Sequence, residues 1–183
     1  MTKLSVRDSD PRFGKVRGAL GHAFTVLVGV QGEEASAVHR GGQPDGFAEL
    51  AAGDRNAPPQ TMVEIANEHE FGLGVPERSW LRAWVDENQP MIQNDLRRAA
   101  MRIIEGKLTI QQAADLLGTK YVASIQTRIA NGIAPANAPA TIERKGSSTP
   151  LIDTGQFRSS ITYIMEQLLT GQTTARVGGG VTP

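Results

Sequence analysis

Apolar positions recur along this chain in two rhythms, a helical one through its middle and an alternating one towards both ends. At the start, Phe13, Val16 and Leu20 fall on one face of a helix over Asp8 to Leu20. Asp8 or Ser9 caps it, Pro11 suits its first turn and Gly21 ends it. The period then drops to two: Phe24, Val26, Val28 and Val30 share one face of FTVLVGVQ, a β-branched strand from Phe24 to Gln31. Gln31 to Gln60 has no sustained period and is punctuated by GG, PDG and PP. That predicts a loop or arm unusually long for a compact domain.

Helical spacing resumes from Thr61 to Glu70 through Met62, Ile65 and Ala66, with Phe71 at its end and Gly72 and Gly74 stopping it. Ser79 caps a helix that runs from Trp80 through Leu81, Trp84 and Val85 towards Asn88. Pro90 either kinks this helix or opens a second one at its first position. From Met91, the residues Ile92, Leu96, Ala99, Ala100, Ile103 and Ile104 form a long amphipathic face ending at Gly106. Thr109 and Gln112 have capping-box spacing at the head of LTIQQAADLLG, and Gly118 stands in a C-cap position. Tyr121, Val122, Ile125 and Ile129 then continue a helix to Asn131 and Gly132.

The connection 132–150 opens as a Pro/Ala loop, and TIERK (Thr141 to Lys145) reads as a short edge strand. Further on, Phe157, Ile161, Tyr163 and Met165 alternate with Arg158, Ser160 and Thr162, predicting a strand wet on one face. Gly171 turns the chain into TTARVG, a last short strand, and 179–183 is a flexible tail. The sum is a single α+β domain over 1–183. A small antiparallel sheet packs against a long, kinked helix and shorter helices, with arms or loops at 31–60 and 132–150.

Composition narrows the possible chemistry. Nineteen Lys and Arg balance nineteen Asp and Glu, so no overall field draws the chain to nucleic acid or an anionic membrane. No apolar run approaches the roughly 18 residues of a membrane span, and MTKLSVRDSD lacks the apolar core of a signal peptide. The expectation is a protein made and kept in the cytoplasm, without a membrane partner. The absence of cysteine removes disulfides, thiol nucleophiles and Cys-based zinc sites. Few aromatics alongside 20 Gly and 10 Pro imply an aliphatic core and a loop-rich chain that gains stability from neighbours.

Three stretches carry candidate chemistry. LIDTG (Leu151 to Gly155) matches the surroundings of the catalytic carboxylate in retroviral-type aspartic proteases. Such a site needs two carboxylates sharing a proton, and the thirty residues after Asp153 are too few for a flap, further strands and a terminal helix. Asp153, Thr154 and Gly155 fit better as a turn, in which the Asp and Thr side chains bond nearby N–H groups and Gly155 supplies a positive φ. Leu108 to Gly132 has the outline of a helix-turn-helix, but its second helix offers chiefly Lys120 and Arg128 to phosphates. Two consecutive core helices, or one kinked helix, explain the same pattern. His22, His39 and His69 are scattered and fit surface positions, while Glu64 and Glu68 fit a solvated helix face. No catalytic residue, cofactor or metal site is expected from these patterns.

A more specific likeness lies in IANEHEFGLGVPERSWLRAWVDEN (Ile65 to Asn88) and SIQTRIANGIAPANAPATIERKGSSTPLIDTGQFRSSITY (Ser124 to Tyr163). Its motif positions are Ala66, Glu70-Phe71-Gly72, Pro76, Arg78, Trp80, Thr141-Ile142, Lys145-Gly146, Pro150 to Gly155, Phe157 and Ser160-Ile161-Thr162. This pattern resembles tail-completion or head–tail joining proteins of tailed bacteriophages, over roughly the second two-thirds of the chain. The arm 31–60 has no counterpart in it.

The resemblance implies a structural virion protein of the neck or tail, such as a tail terminator, without catalysis. Its subunit would be α+β and close into a homo-oligomeric ring, commonly a hexamer, between connector and tail-tube proteins. Assembly would take place in the host bacterial cytoplasm, and phage DNA would pass through the lumen without sequence readout. Phe71, Gly72, Pro76, Arg78 and Trp80 are then candidate motif and interface residues, and Arg144 and Lys145 candidate lumen-facing charges.

Overall fold

The computed structural model describes residues 23–38, 60–145, 148–152, 155–169 and 172–178. The helix expected over Asp8 to Leu20, the middle of the arm, His22, His39, Asp153, Thr154 and the tail 179–183 lie outside the described residues.

Alternation in the first strand translates directly into a sheet. Strand β1 (Ala23–Val30) pairs antiparallel with β2 (Ile161–Leu169), with Ala23 opposite Leu168 and Val30 opposite Ile161. β2 in turn pairs antiparallel with β3 (Gln172–Gly178), giving the order β1-β2-β3. Val26, Val28 and Val30 turn towards the core, while Thr25 and Leu27 are exposed, as a period of two requires.

Six helices accompany the sheet in the described residues: α1 (Glu33–Ser36), α2 (Met62–Phe71), α3 (Arg82–Ile104), α4 (Ile110–Ala130), α5 (Pro139–Lys145) and α6 (Gln156–Ser159). The α+β expectation holds, with a long helix and a small antiparallel sheet. α4 lies across β1 and β2 and buries Ala113, Ala114, Leu117, Gly118, Tyr121, Val122, Ile125 and Ile129. Its start is fixed by the expected capping box: Gln112 N donates to Thr109 Oγ1 at 3.1 Å, and Thr109 N donates to Gln112 Oε1 at 2.9 Å.

Gly118 does not end this helix. It sits mid-helix against the sheet, where a Cβ would come within 2.3 Å of Tyr163 Cδ2. The glycine serves close helix-to-sheet approach, and tertiary packing overrides its local stop signal. Leu108 to Gly132 therefore lacks the turn that a helix-turn-helix requires. Its Lys120 and Arg128 are ion-paired with Asp95 and Glu87 on α3 instead.

A single helix likewise carries both segments expected on either side of Pro90. Proline removes the donor to the carbonyl of Asp86, and both residues are exposed, so water can satisfy that carbonyl. α3 meets α4 through Trp84, whose ring lies 5.6 Å from that of Tyr121 and whose Nε1 donates to Ser124 Oγ at 2.9 Å.

Three other expectations are corrected. TIERK is helical, part of α5, because Pro139 supplies a preset φ at the first helical position and Ile142 N bonds Ala138 O at 3.0 Å. FRSSITYIM begins as the helical turn α6, and its strand starts only at Ile161. Ser160 and Thr162, expected on a wet face, are 0% and 5% exposed, so both faces of the chain are covered there. Ser160 Oγ offsets its burial by donating to Phe157 O at 2.7 Å.

The arm also begins later than expected. Gln31 to Val38 folds back through α1, and Val38 bridges Thr61 in antiparallel fashion. Met62 N donates to Ala37 O at 2.9 Å and Gln156 Nε2 donates to Val38 O at 2.8 Å, so the base of the arm is closed onto the domain. Among the described residues no helix is long and apolar enough to cross a membrane.

Candidate assembly surface

The residues singled out by their motif meet where α2 hands over to α3. α2 starts with a capping box between Thr61 and Glu64 and ends at Gly72, which is left-handed at φ 68°. Leu73 N closes the turn on Glu68 O at 2.9 Å, and Arg78 N returns to His69 O at 2.7 Å. A side chain at Gly72 would be strained by its φ and would stand 3.1 Å from Glu77 Cβ, so glycine is required twice over. Pro76 sits exposed in the link between the helices.

Glu70 is the hub of this knuckle. It is buried, yet its carboxylate accepts from Trp80 N, Leu81 N and Arg82 N, each at 2.9 Å, from Ser79 Oγ at 2.8 Å and from Arg82 Nε at 2.9 Å. Helix α3 has no capping side chain at its own N-cap, Leu81. Glu70 takes that role from the preceding helix and places a negative charge at the positive end of the α3 dipole. Burial pushes the Glu70 carboxyl up, but the Leu81 and Arg82 amides, the Ser79 hydroxyl and the Arg82 guanidinium outweigh it and hold its pKa below the ordinary value. An ionised carboxylate with this many donors is a helix cap and is poorly suited to proton transfer.

Around the hub the other motif residues tie distant segments together. Arg78, also buried, donates through Nε to Pro135 O at 2.9 Å and through Nη2 to Asn137 Oδ1 at 3.3 Å. It thereby clamps the loop that carries the cis Ala134–Pro135 bond. Trp80 Nε1 donates to Ala66 O at 3.1 Å, and its ring meets Phe157 edge-on at 5.4 Å. Phe71 differs: it is 52% exposed, with the Arg82 guanidinium 4.6 Å from its ring centre, and the neighbouring Leu73 is 55% exposed. The knuckle thus has a rigid, buried interior and an apolar outer skin.

The remaining sequence candidates fall elsewhere. Gly155 has φ 79° and precedes α6, the place a turn glycine should occupy. Arg144 and Lys145 close α5, and their side chains lie outside the described residues. His69 is buried rather than at the surface. Glu64 and Glu68 are not simply solvated: Glu64 completes the α2 cap and Glu68 accepts from Gln60 Nε2 at 2.6 Å. Among the described residues no three His, Asp or Glu side chains gather in a way that suits a metal ion.

The capping role of Glu70 had no local signal, since its partners stand nine to twelve positions later, beyond any capping-box spacing. Leu151 was equally unreadable. It is buried with φ 62°, a left-handed leucine within the stretch first read for its Asp-Thr-Gly. No family model, curated protein or solved structure matches this chain.

Proposed function

We propose that this chain is a structural subunit of the neck or tail end of a tailed phage, a tail-completion, tail-terminator or head–tail joining protein that works through ring assembly and protein interfaces without catalysis. One observation carries the reading beyond the motif likeness. Motif residues scattered from Ala66 to Ser160 converge on one junction, through the bond from Trp80 to Ala66, the Trp80–Phe157 contact, and the short bond from Ser160 to Phe157. A pattern whose letters meet in space defines a folded unit, which is what a likeness based on architecture requires.

The surface suits the same role. A ring subunit needs two different contact surfaces, because neighbours around a closed rotation meet heterologously. Phe71 and Leu73 expose apolar area at one end of α3, and Met101 exposes more towards the other end. Nineteen helical rises separate Arg82 from Met101, about 28 Å at 1.5 Å per residue. Arg144 and Lys145 on α5 are the charges we assign to a DNA-conducting lumen.

Light scattering on a sizing column and negative-stain imaging test the proposal. The expected species is a closed ring of fixed copy number, and Phe71→Asp with Leu73→Asp should reduce it to monomers of unchanged circular dichroism. A chain that stays monomeric at every concentration and fails to co-sediment with tail tubes would overturn the assignment.

A further inference from the structure

We propose that each copy of this chain seats the acidic outer face of its α2 in the cationic notch between α3 and α4 of the next copy. The inference rests on the self-assembly proposed above and adds which residues meet. The notch measures about 310 Å³ and is lined by Arg98 and Arg102 of α3, by Leu116, Leu117 and Lys120 of α4, and by Leu108 between the two helices. Asp95 neutralises Lys120, and Glu105 neutralises Lys107, the neighbour of Leu108. Arg98 and Arg102 are exposed, and neither pairs with a carboxylate among the described residues. They stand one turn apart on α3, where like charges repel. Leu116, in the same notch, is 56% exposed.

Helix α2 carries the complement. Glu64, Glu68 and Phe71 follow one another at helical spacing on one face, with Glu64 and Phe71 exposed and Glu68 half-buried. Glu64 bonds Thr61 and Glu68 accepts from Gln60, and neither has a cation beside it among the described residues. Burial and then the Glu64 charge raise the Glu68 pKa against the bond from Gln60, so a facing guanidinium relieves a repulsion already present. Two carboxylates one turn apart match two guanidinium groups at the same spacing, about 5–6 Å between Cβ atoms. Phe71, a turn further on, then meets the leucines of the notch. Those leucines favour a protein segment with an apolar side chain over a phosphate group.

The two faces are out of reach within one chain. The Arg82 guanidinium lies 4.6 Å from the centre of the Phe71 ring, and Arg98 stands sixteen helical rises further along α3, about 24 Å at 1.5 Å per residue. The notch of one copy therefore takes α2 of another. Two different surfaces meet, which is the heterologous contact that a ring repeats.

Light scattering on a sizing column, with two charge variants of the full chain run separately and mixed, tests the contact. Glu64→Gln with Glu68→Lys alters the acidic face while glutamine keeps the capping bond to Thr61. Arg98→Glu with Arg102→Glu reverses the notch. Each variant alone should need at least about tenfold more protein than the parent to self-associate, with unchanged circular dichroism. An equimolar mixture should recover the parent's assembly, because every contact between the two variants again joins opposite charges. Assembly that both variants retain, or a mixture that fails to recover it, would overturn this contact and leave ring assembly standing. A parent that never self-associates overturns both. Loss in the notch variant alone would point to a symmetric α3 contact and sink the proposal. Duplex DNA binding that only the notch variant loses, with assembly intact, would assign the arginines to phosphate instead.

Discussion

The ring of Tyr163 lies so close to the backbone of Gly118 that a methyl group there would sit 2.3 Å from Cδ2 and 2.4 Å from Cγ. This contact sets the spacing between α4 and the central strand. Gly118→Ala would gain about 1 kcal/mol of helix propensity, yet overpacking a buried ring costs about 1–3 kcal/mol. The net expectation is a destabilised domain, read as a lower urea midpoint with unchanged slope. Adding Tyr163→Leu should recover part of the loss. A single mutant as stable as the parent would mean the helix and sheet are not held at this distance.

Glu70 yields a pH prediction with a definite sign. Its folded pKa lies below the ordinary 4.5, so its contribution is fully present above that value and is lost as pH falls through the folded pKa. Glu68 has the opposite slope: burial, chiefly, raises its pKa, so the folded state gains relative stability as that group protonates. The difference between parent and Glu70→Gln isolates the first effect. At neutral pH the substitution should cost about 2–3 kcal/mol, since a buried cap loses its charge and keeps its donors. As pH falls from the ordinary carboxylate range through the lowered folded pKa, the two proteins should converge. Urea titrations at several pH values report this directly, and parallel curves down to acid would remove Glu70 as the charged cap of α3.

These two positions also mark where sequence legibility stopped. Strand β1, the helix from Thr61, the capping box that starts α4 and the α+β class were readable because period and capping act within a few residues. Gly118 was misread because a glycine signals a helix stop locally, whereas here its missing Cβ answers a strand more than forty positions away. Pro90 was read as a kink within one helix or the start of a second, and the choice for a single helix, with Pro90 exposed, is a tertiary fact. Ser160 and Thr162 look like surface residues until the covering elements are in place. At the candidate site, the motif letters at Glu70, Arg78 and Trp80 were visible, but their roles as cap, clamp and packing anchor depend on contacts across the fold.

Arg78 shows what such a clamp should be worth. Its guanidinium bonds the 135–137 loop from two different nitrogens, a planar fork that an ammonium group cannot reproduce. Arg78→Lys should therefore cost about 2 kcal/mol despite keeping the charge. The loss should be local as well as global, with faster hydrogen exchange at 133–138 than at α4. If the lysine variant matched the parent in both measurements, charge alone would explain the residue.

Leu151 offers the least ordinary test, because its backbone and side chain pull in opposite directions. A leucine at φ 62° bears roughly 1–2 kcal/mol of left-handed strain, which burial of its side chain must exceed. Truncation to alanine removes the burial and keeps the strain, for an expected loss of about 3 kcal/mol. Leu151→Gly removes both, so glycine should be the milder substitution by about 1 kcal/mol, the reverse of the order at most buried sites. Thermal and urea unfolding of the two variants side by side decides the matter. Alanine proving the milder change would show that this turn holds no such strain, and that Leu151 acts through packing alone.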